Sequence, residues 1–299
     1  MKTTAPIERL DPLNDFLFLK VMGEKGDEFQ LQSLLNAILR HTHTINSVEI
    51  IENKSLSADF IGQKSSILDV RARLDSGSKV NLEVQLRNQL SFDRRTLFYW
   101  SKLFSENLKA GNKYPILPSV IAINIVHFDF PTFGGYHTRF RLWEDFTFSG
   151  MLSNALEIHF INMIKWKRLE TKDLNNSLHR WLTWLDKNSP PELIAEAMRM
   201  DEGIKAANER QAQVTLEEEA QELYWKRQIA LMDQLDYDHG LDKARQEGLE
   251  EGWQEGLEEG LEKGRQEKLA IGRNLKAAGV SLDIISQSTG LTIEEILKL

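Results

Sequence analysis

Apolar and polar positions alternate over residues 67–74 and again over residues 80–86, and this alternation predicts two β-strands. The segment between them, Asp75-Ser-Gly-Ser, is typical of a turn, so the strands are expected to form a hairpin. Asp69 lies on the polar face of the first strand, and Glu83 and Gln85 share the polar face of the second. Because the polar faces coincide in a hairpin, Asp69 and Glu83 are expected to meet across the pair.

Helical spacing of apolar residues precedes and follows this hairpin. Residues 13–21 and 29–39 predict two short helices, and residues 94–108 predict an amphipathic helix. Residues 47–51 are β-branched and predict a strand, while the continuous apolar run 120–126 predicts a central strand that is buried on both faces. The resulting order is helix, strand, strand, strand, helix, strand. Further strands are predicted at residues 137–142 and 156–163.

The second half of the chain is predicted to be almost wholly helical from Leu174 onward, with a joint at Ser189-Pro-Pro. Thr215-Leu-Glu-Glu218 has the pattern of a capping box and predicts the start of a long helix. The final segment, 276–299, predicts two short helices capped by Ser281 and Thr292, in the outline of a helix-turn-helix. The second of these helices carries two acids and one lysine, which favours an interaction or capping role over DNA reading.

Glycine recurs every four residues from Gly248 to Gly264. Four residues turn a helix by about 400°, so these glycines form a shallow spiral stripe that a second helix could approach closely. Each glycine costs about 1 kcal/mol of helix propensity, and packing against a partner helix of the same or another chain would compensate for it. We therefore expect a homo-oligomer assembled through the C-terminal helical region. A flexible, solvated acidic linker is the alternative.

Composition limits the class of protein. The 299 residues are 41% hydrophobic and 27% charged, as expected of a globular chain. No apolar run approaches the roughly 18 residues of a membrane span, so no membrane association is expected. The absence of cysteine excludes disulfides and zinc–thiolate sites, and it fits a cytoplasmic location.

Charge is distributed unevenly along the chain. Residues 1–200 hold 25 Lys and Arg against 23 Asp and Glu, whereas residues 201–299 hold 12 against 22. Within the first part, residues 64–113 contain ten basic residues and five acids. This segment is therefore the favoured nucleic-acid-binding region, with an ordinary mixed surface as the alternative.

Two carboxylates at the range of a cross-strand pair repel each other unless a cation lies between them, and oxygen ligands suit Mg²⁺ or Mn²⁺. Such a metal lowers the pKa of a bound water and stabilises charge on a phosphoryl oxygen, as phosphodiester hydrolysis requires. The histidines at positions 41, 43, 127, 137 and 159 have no metal-type partner at i+4, and we interpret them as surface or core residues.

Asp69 is followed by a spacer of thirteen residues, by Glu83-Val-Gln85 and then by the helix that carries Arg95 and Tyr99. This arrangement resembles the catalytic core of the PD-(D/E)XK nuclease superfamily. More narrowly, the chain is similar to the recombination-promoting nuclease, or transposase, family of that superfamily. The matching pieces extend over most of the chain and are Asn14-Asp-Phe-Leu-Phe, Lys64-Ser-Ser-Ile-Leu-Asp-Val70, Asn81-Leu-Glu-Val-Gln85, Arg95-Thr-Leu-Phe-Tyr-Trp-Ser101, Leu156-Glu-Ile-His-Phe160 and the glycine-spaced tail.

The resemblance implies an α/β fold with a restriction-endonuclease-like αβββαβ core and a mixed central sheet, followed by a mostly α-helical C-terminal region. It also implies a Mg²⁺-dependent endonuclease (with Mn²⁺ as the other candidate metal) that acts on double-stranded DNA in recombination or mobile-element functions. In that interpretation Asp69 and Glu83 bind the metal, and Gln85 occupies the position usually held by lysine.

The resemblance also implies roles for residues outside the hairpin. Asp15 is a further candidate metal ligand, and Glu28 is a weaker one; a structural role in the first helix is the alternative for Asp15. Because glutamine is neutral, Lys64, Arg94 or Arg95 would supply the missing positive charge. Arg95 and Tyr99 lie four residues apart on one helix face and are expected to address phosphate, with a surface ion pair and a core aromatic as the alternative.

We divide the chain into a nuclease-like domain at 1–170, a helical extension at 171–240, the glycine repeat at 241–275 and the small C-terminal segment at 276–299. The favoured function is a metal-dependent DNA endonuclease of low sequence specificity. One alternative is an attenuated or inactive nuclease fold that binds DNA or a partner protein in a transposon or phage-defence system, which Gln85 favours. The other is a purely structural helical oligomer.

Overall fold

The computed structural model describes residues 9–40, 42–52, 69–88, 91–106, 108 and 113–299. The chain divides into two compact units, residues 1–231 and residues 232–299. The first unit contains the sheet and the helices that pack on it, and the second contains the acidic C-terminal segment. Among the described helices, none combines the length and the apolar character needed to cross a bilayer.

Six strands form one mixed sheet in the described part of the first unit, in the order β1-β2-β3-β4-β6-β5. β1–β2, β2–β3 and β5–β6 are antiparallel pairs, whereas β4 runs parallel to both of its neighbours. The strands are β1 Val48–Glu52, β2 Asp69–Leu74, β3 Lys79–Gln85, β4 Val120–Val126, β5 His137–Phe140 and β6 Leu156–Asn162. All six correspond to predicted strands, although residues 67 and 68 of the predicted hairpin lie outside the described residues.

The helices follow the predicted order as well. The first unit contains α1 Asp15–Met22, α2 Phe29–Leu39, α3 Phe92–Ser105, α4 Met163–Lys167, α5 Ser177–Leu185, α6 Pro191–Met200 and α7 Glu202–Leu216. A long helix, α8 Glu218–Ala277, continues into the second unit, where α9 Leu282–Thr289 and α10 Ile293–Lys298 follow. The α/β core with a mixed sheet and a helical C-terminal region is therefore confirmed.

Strand alternation gives the sheet two different faces. On one face, alternate apolar residues of β2, β3 and β4 form a core with α1, α2, α5 and α7; Val70, Leu82 and Ile123 are typical members. We call this the helical face. On the other face, which we call the α3 face, α3 contributes Phe92 to a smaller core with Ala122, Phe160 and their neighbours.

The start of α8 differs from the capping box predicted at Thr215. That residue lies in the last turn of α7, and its hydroxyl donates a hydrogen bond to the backbone carbonyl of Gln211 at 2.8 Å. The long helix begins three residues later, at Glu218. A threonine hydroxyl can bond either forward to cap a helix or backward to the carbonyl at i−4, and here the backward bond is formed.

In the second unit, α9 and α10 pack on the end of α8. Ile285, Leu291 and Ile296 form a small buried core with α8 residues such as Leu269. Gly272 permits this contact, because a Cβ at that position would lie 2.9 Å from Leu299 and 3.1 Å from Leu291. The predicted capping box of α10 is confirmed, since Thr292 and Glu295 exchange both bonds. Ser281 occupies the N-cap of α9 without a side-chain capping bond.

Candidate active site

Asp69 and Glu83 are directly paired residues of β2 and β3. Both lie on the α3 face, and the same alternation places Asn81 and Gln85 on that face of β3. Glu83 and Gln85 are buried, and only 12% of the Asp69 side chain is exposed. The hairpin therefore brings two carboxylates and one amide together on one face, as the sequence predicted, and the structure places them beneath α3.

The cation that reaches these groups comes from α3. One guanidinium nitrogen of Arg95 donates to Glu83 Oε1 at 2.8 Å and to Gln85 Oε1 at 2.7 Å. The Gln85 amide nitrogen donates to the carbonyl of Arg87 at 3.1 Å, which fixes the amide oxygen toward Arg95. Asp69 forms a separate ion pair with Arg71 at 2.9 Å. Each acid of the pair thus has a basic partner of its own.

Packing of α3 explains the position of Arg95. Phe92, one turn earlier, is buried in edge-to-face contacts with Phe128, Phe130 and Phe160, and the Arg95 guanidinium lies 5.0 Å from the Phe92 ring centre. Farther along the helix, the Trp100 indole nitrogen donates to the carbonyl of Val120 at 3.0 Å. These contacts hold the helix against β4 and point Arg95 toward β3.

Burial dominates the electrostatics of Glu83. Its removal from water raises the pKa to about 7, with Asp69 acting in the same direction and Arg95 opposing it. The carboxyl of Glu83 therefore changes its protonation state near neutral pH, unlike an exposed glutamate. A perturbed acid beside a second acid and a cation is a common feature of catalytic sites.

Comparison with family models gives one match, the PD-(D/E)XK nuclease family transposase model, which covers residues 12–240. The chain belongs to this family. No curated protein and no solved structure matches it. The family match includes the hairpin, α3 and most of the helices that pack on the helical face, so the paired acids lie inside the matched region.

The other residues predicted for a site in this family are placed differently. Arg94 is exposed on α3, and Tyr99 is half-buried on the same helix with its ring 5.7 Å from that of Phe98. Lys64 lies outside the described residues. Asp15 is on α1, which packs on the helical face, and its carboxylate lies 3.8 Å from Arg227 of α8.

Burial raises the pKa of Asp15 in spite of Arg227. Within the described ranges, no group of three His, Cys, Asp or Glu side chains could hold a metal ion. The structure thus does not place Asp15 together with Asp69 and Glu83. Asn14, from the same predicted motif, caps α1 by accepting a hydrogen bond from the backbone nitrogen of Leu17 at 3.2 Å.

The donor set of the hairpin nevertheless fits a divalent cation. Asp69, Glu83 and Gln85 offer oxygen atoms on one face of adjacent strands, and Mg²⁺ commonly uses one or two carboxylates and keeps several waters. Burial has the largest effect on the raised pKa of Glu83, and the charge of Asp69 adds to it; a cation between the two carboxylates would relieve that repulsion. Arg95 now bonds two of these oxygens, so a metal ion would have to displace part of that contact.

Sequence reasoning missed a second polar cluster, which lies on the helical face near the sheet edge. Glu157 of β6 is buried and accepts hydrogen bonds from His159 at 2.7 Å and from Arg141 at 2.5 Å, while His43 lies 3.2 Å away. His137 contacts His159 at 2.8 Å. An interpretation of the histidines as surface or core residues does not indicate this cluster, and the only signal for it in the sequence is the alternation of Glu157 and His159 in an apolar strand.

Proposed function

We propose that this chain is a metal-dependent endonuclease that hydrolyses phosphodiester bonds of double-stranded DNA with low sequence specificity, in recombination or mobile-element functions. The observation that carries the proposal is the pairing of Asp69 with Glu83 across β2 and β3, with Gln85 on the same face. Membership of the PD-(D/E)XK nuclease family transposases supports the reaction class.

In this proposal Asp69, Glu83 and the Gln85 amide oxygen hold Mg²⁺ or Mn²⁺. The metal would supply an activated water and stabilise charge on the phosphoryl group. Glu83 must be ionised to bind it, and its pKa of about 7 means that binding releases a proton below that pH. Metal affinity is therefore expected to rise as the pH increases through 7.

Arg95 is proposed to replace the positive charge that Gln85 lacks. Its guanidinium bonds both Glu83 and Gln85, and a planar guanidinium also binds phosphate oxygens well. Lys79 is a poor substitute, because it lies four residues from Glu83, about 13 Å along the strand, and pairs with Glu106 at 2.9 Å. Arg94 and Tyr99, farther out on α3, are proposed to contact the DNA backbone.

The same contact supports the second candidate function, a nuclease fold that binds DNA or a partner protein without cutting. Arg95 already neutralises Glu83, and Arg71 already pairs with Asp69. If these two ion pairs are stable in the presence of metal, the hairpin serves as a structural network and the chain is an attenuated member of the family.

The test is plasmid cleavage with Mg²⁺ or Mn²⁺, using the wild type, Asp69→Asn and a control, Glu49→Gln. Glu49 is an exposed acid of β1 that pairs with Arg73 at 3.3 Å, away from the proposed metal site. We expect the wild type and the control to cut and Asp69→Asn to lose at least about a hundredfold in rate, as when a group that activates the nucleophile is removed. Equal cutting by Asp69→Asn would contradict the proposal, and binding of DNA without cutting by the wild type would support the second candidate.

We also propose that the second unit assembles copies of the chain. Apart from the adjacent residues and the surrounding backbone of α8 itself, added Cβ atoms at the five glycines of the repeat would meet no described atom within 4 Å. The residues that follow four of these glycines are large, apolar and exposed: Leu249, Trp253, Leu257 and Leu261. A solution mass measured before and after deletion of residues 240–299 tests this assembly, and a monomer mass for the full chain would contradict it.

A further inference from the structure

A cavity of about 250 Å³ lies on the helical face of the sheet, separate from the acids on the α3 face. It is bounded by the end of α2, the segment that enters β5, and α5. Its described lining consists of Ala37, Ile38, Arg40, Gly135, Tyr136, His137 and Leu178. Three of these side chains are apolar, and the others are an arginine, a tyrosine and a histidine. None of the described lining residues carries a carboxylate.

His137 links the cavity to the buried cluster on Glu157. Hydrogen bonds from His159, His43 and Arg141 outweigh the effect of burial and hold the pKa of Glu157 well below its usual range, so it is an ionised acceptor. Burial lowers the pKa of His159, which is therefore neutral and donates from Nε2 to Glu157. His159 Nδ1 then accepts the hydrogen bond from His137 Nε2 at 2.8 Å. This chain of bonds fixes the His137 ring at the cavity wall.

The remaining polar wall is also fixed. The Tyr136 hydroxyl and His179 Nε2 lie 2.8 Å apart, while His179 Nδ1 accepts the backbone N–H of Asp173 at 3.0 Å. His179 Nε2 therefore carries the proton and donates to the tyrosine oxygen. The charge of Arg40 acts to lower the pKa of both Tyr136 and His179, although burial has the largest effect on each. The charge of Asp173 acts on His179 in the opposite direction and has a larger effect there than Arg40, so Arg40 adds positive charge to a wall that also has one acid nearby.

We propose that this cavity binds a small tetrahedral oxyanion, free inorganic phosphate. A volume of about 250 Å³ is below the roughly 300–1,000 Å³ of pockets for drug-sized ligands, so it suits a small ion better than a nucleotide. Arg40 supplies the positive charge and a fork of donors that matches phosphate geometry. The negative charge of nearby Glu157 is offset by Arg141, 2.5 Å away. This inference does not rest on the nuclease proposal.

The experiment is a calorimetric titration of the full chain with inorganic phosphate. We expect one phosphate per chain for the wild type, and an affinity at least about tenfold lower for Arg40→Gln, because a charge-assisted contact is lost. Tyr136→Phe is the second variant and is expected to weaken binding too, because the Tyr136 oxygen accepts the bond from His179 and its own hydrogen remains available to the phosphate. The matched control is Arg199→Gln, which changes an exposed arginine of α6 that is paired only weakly, at 3.9 Å, with Glu196.

Four results would overturn the proposal. The first is no phosphate binding by the wild type, and the second is wild-type affinity in whichever of Arg40→Gln and Tyr136→Phe folds. The third is loss of binding in Arg95→Gln, since that result would place the phosphate at the nuclease-like site. A 5′-phosphorylated trinucleotide is expected not to compete with inorganic phosphate. If it competes and the 5′-hydroxyl form does not, the ligand is the phosphorylated end of a strand, and the assignment to free phosphate is contradicted.

Discussion

Replacing Glu83 by glutamine should remove a pH dependence from the stability of the fold. Glu83 is buried, and only 4% of its side chain is exposed. Burial raises its pKa from the ordinary 4.5 to about 7. Glutamine has nearly the same shape, cannot ionise, and still offers an oxygen to Arg95, so the substitution isolates the cost of the buried charge.

The sign and size of the effect follow from linkage. Between pH 4.5 and 7 the folded chain keeps the Glu83 proton that the unfolded chain has lost, so stability falls as the pH rises through this window. Each pKa unit corresponds to about 1.36 kcal/mol, so the window contributes about 3 kcal/mol. The contribution is fully present below pH 4.5 and absent above about pH 7. Glu83→Gln should therefore gain about 3 kcal/mol relative to wild type between pH 4.5 and pH 8.

Urea unfolding at pH 4.5, 6 and 8 measures this difference directly, because other titrating groups cancel when the variant is compared with wild type at each pH. Glu49→Gln, with 70% of the wild-type side chain exposed, is the matched control and should follow the wild type at every pH. If the free energies of unfolding of the wild type and Glu83→Gln differ by the same amount at all three pH values, the reasoning is refuted. Such a result would mean that Glu83 ionises in the folded chain as readily as in the unfolded one.

Three further predictions follow from the two polar networks. Arg95→Gln should lower the free energy of unfolding by about 3 kcal/mol at pH 8 but by clearly less at pH 5, where Glu83 is protonated; equal losses in urea at both pH values would argue against the ion pair. Millimolar Mg²⁺ should raise the melting temperature of the wild type but not that of Asp69→Asn, and equal shifts for the two proteins would count against the metal site. Glu157→Gln should cost about 3–5 kcal/mol, measured by urea unfolding at pH 7.5, because Arg141 would lose its anion; a loss below about 1 kcal/mol would show that the cluster is not a buried ion network.

The local alternation of apolar and polar residues was sufficient to predict the strands and the pairing within the hairpin. The alternation of residues 69–74 and 79–85 and a short turn determine the register, and that register places Asp69 opposite Glu83. Most helix bounds could be predicted for the same reason. The start of α8 could not, because Thr215 can cap a following helix or bond back to Gln211, and the sequence alone does not decide between the two.

Contacts between residues far apart in the sequence could not be predicted from the local pattern of apolar and polar residues. Glu157 is bonded by His43, which is 114 residues away in sequence, and the alternation within β6 gives no indication of this partner. The position of Asp15 in the fold could not be predicted from the sequence either. Its motif places it at the start of α1, but the face on which α1 packs, and the contact with Arg227, depend on the tertiary arrangement. A role can be assigned to such residues only from the folded structure.

The position of Arg95 explains how a neutral residue can follow the second acid without leaving the site uncharged. A lysine at position 85 would carry its charge on β3 itself, at a place determined by strand geometry alone. Arg95 carries the charge on α3, so its position depends on the packing of Phe92 and Trp100 against the sheet. Since Gln85 orients its oxygen toward that guanidinium, the strand and the helix are matched to each other. The positive charge at this site therefore depends on how α3 packs on the sheet, and movement of α3 would move the guanidinium away from Glu83 and Gln85 together.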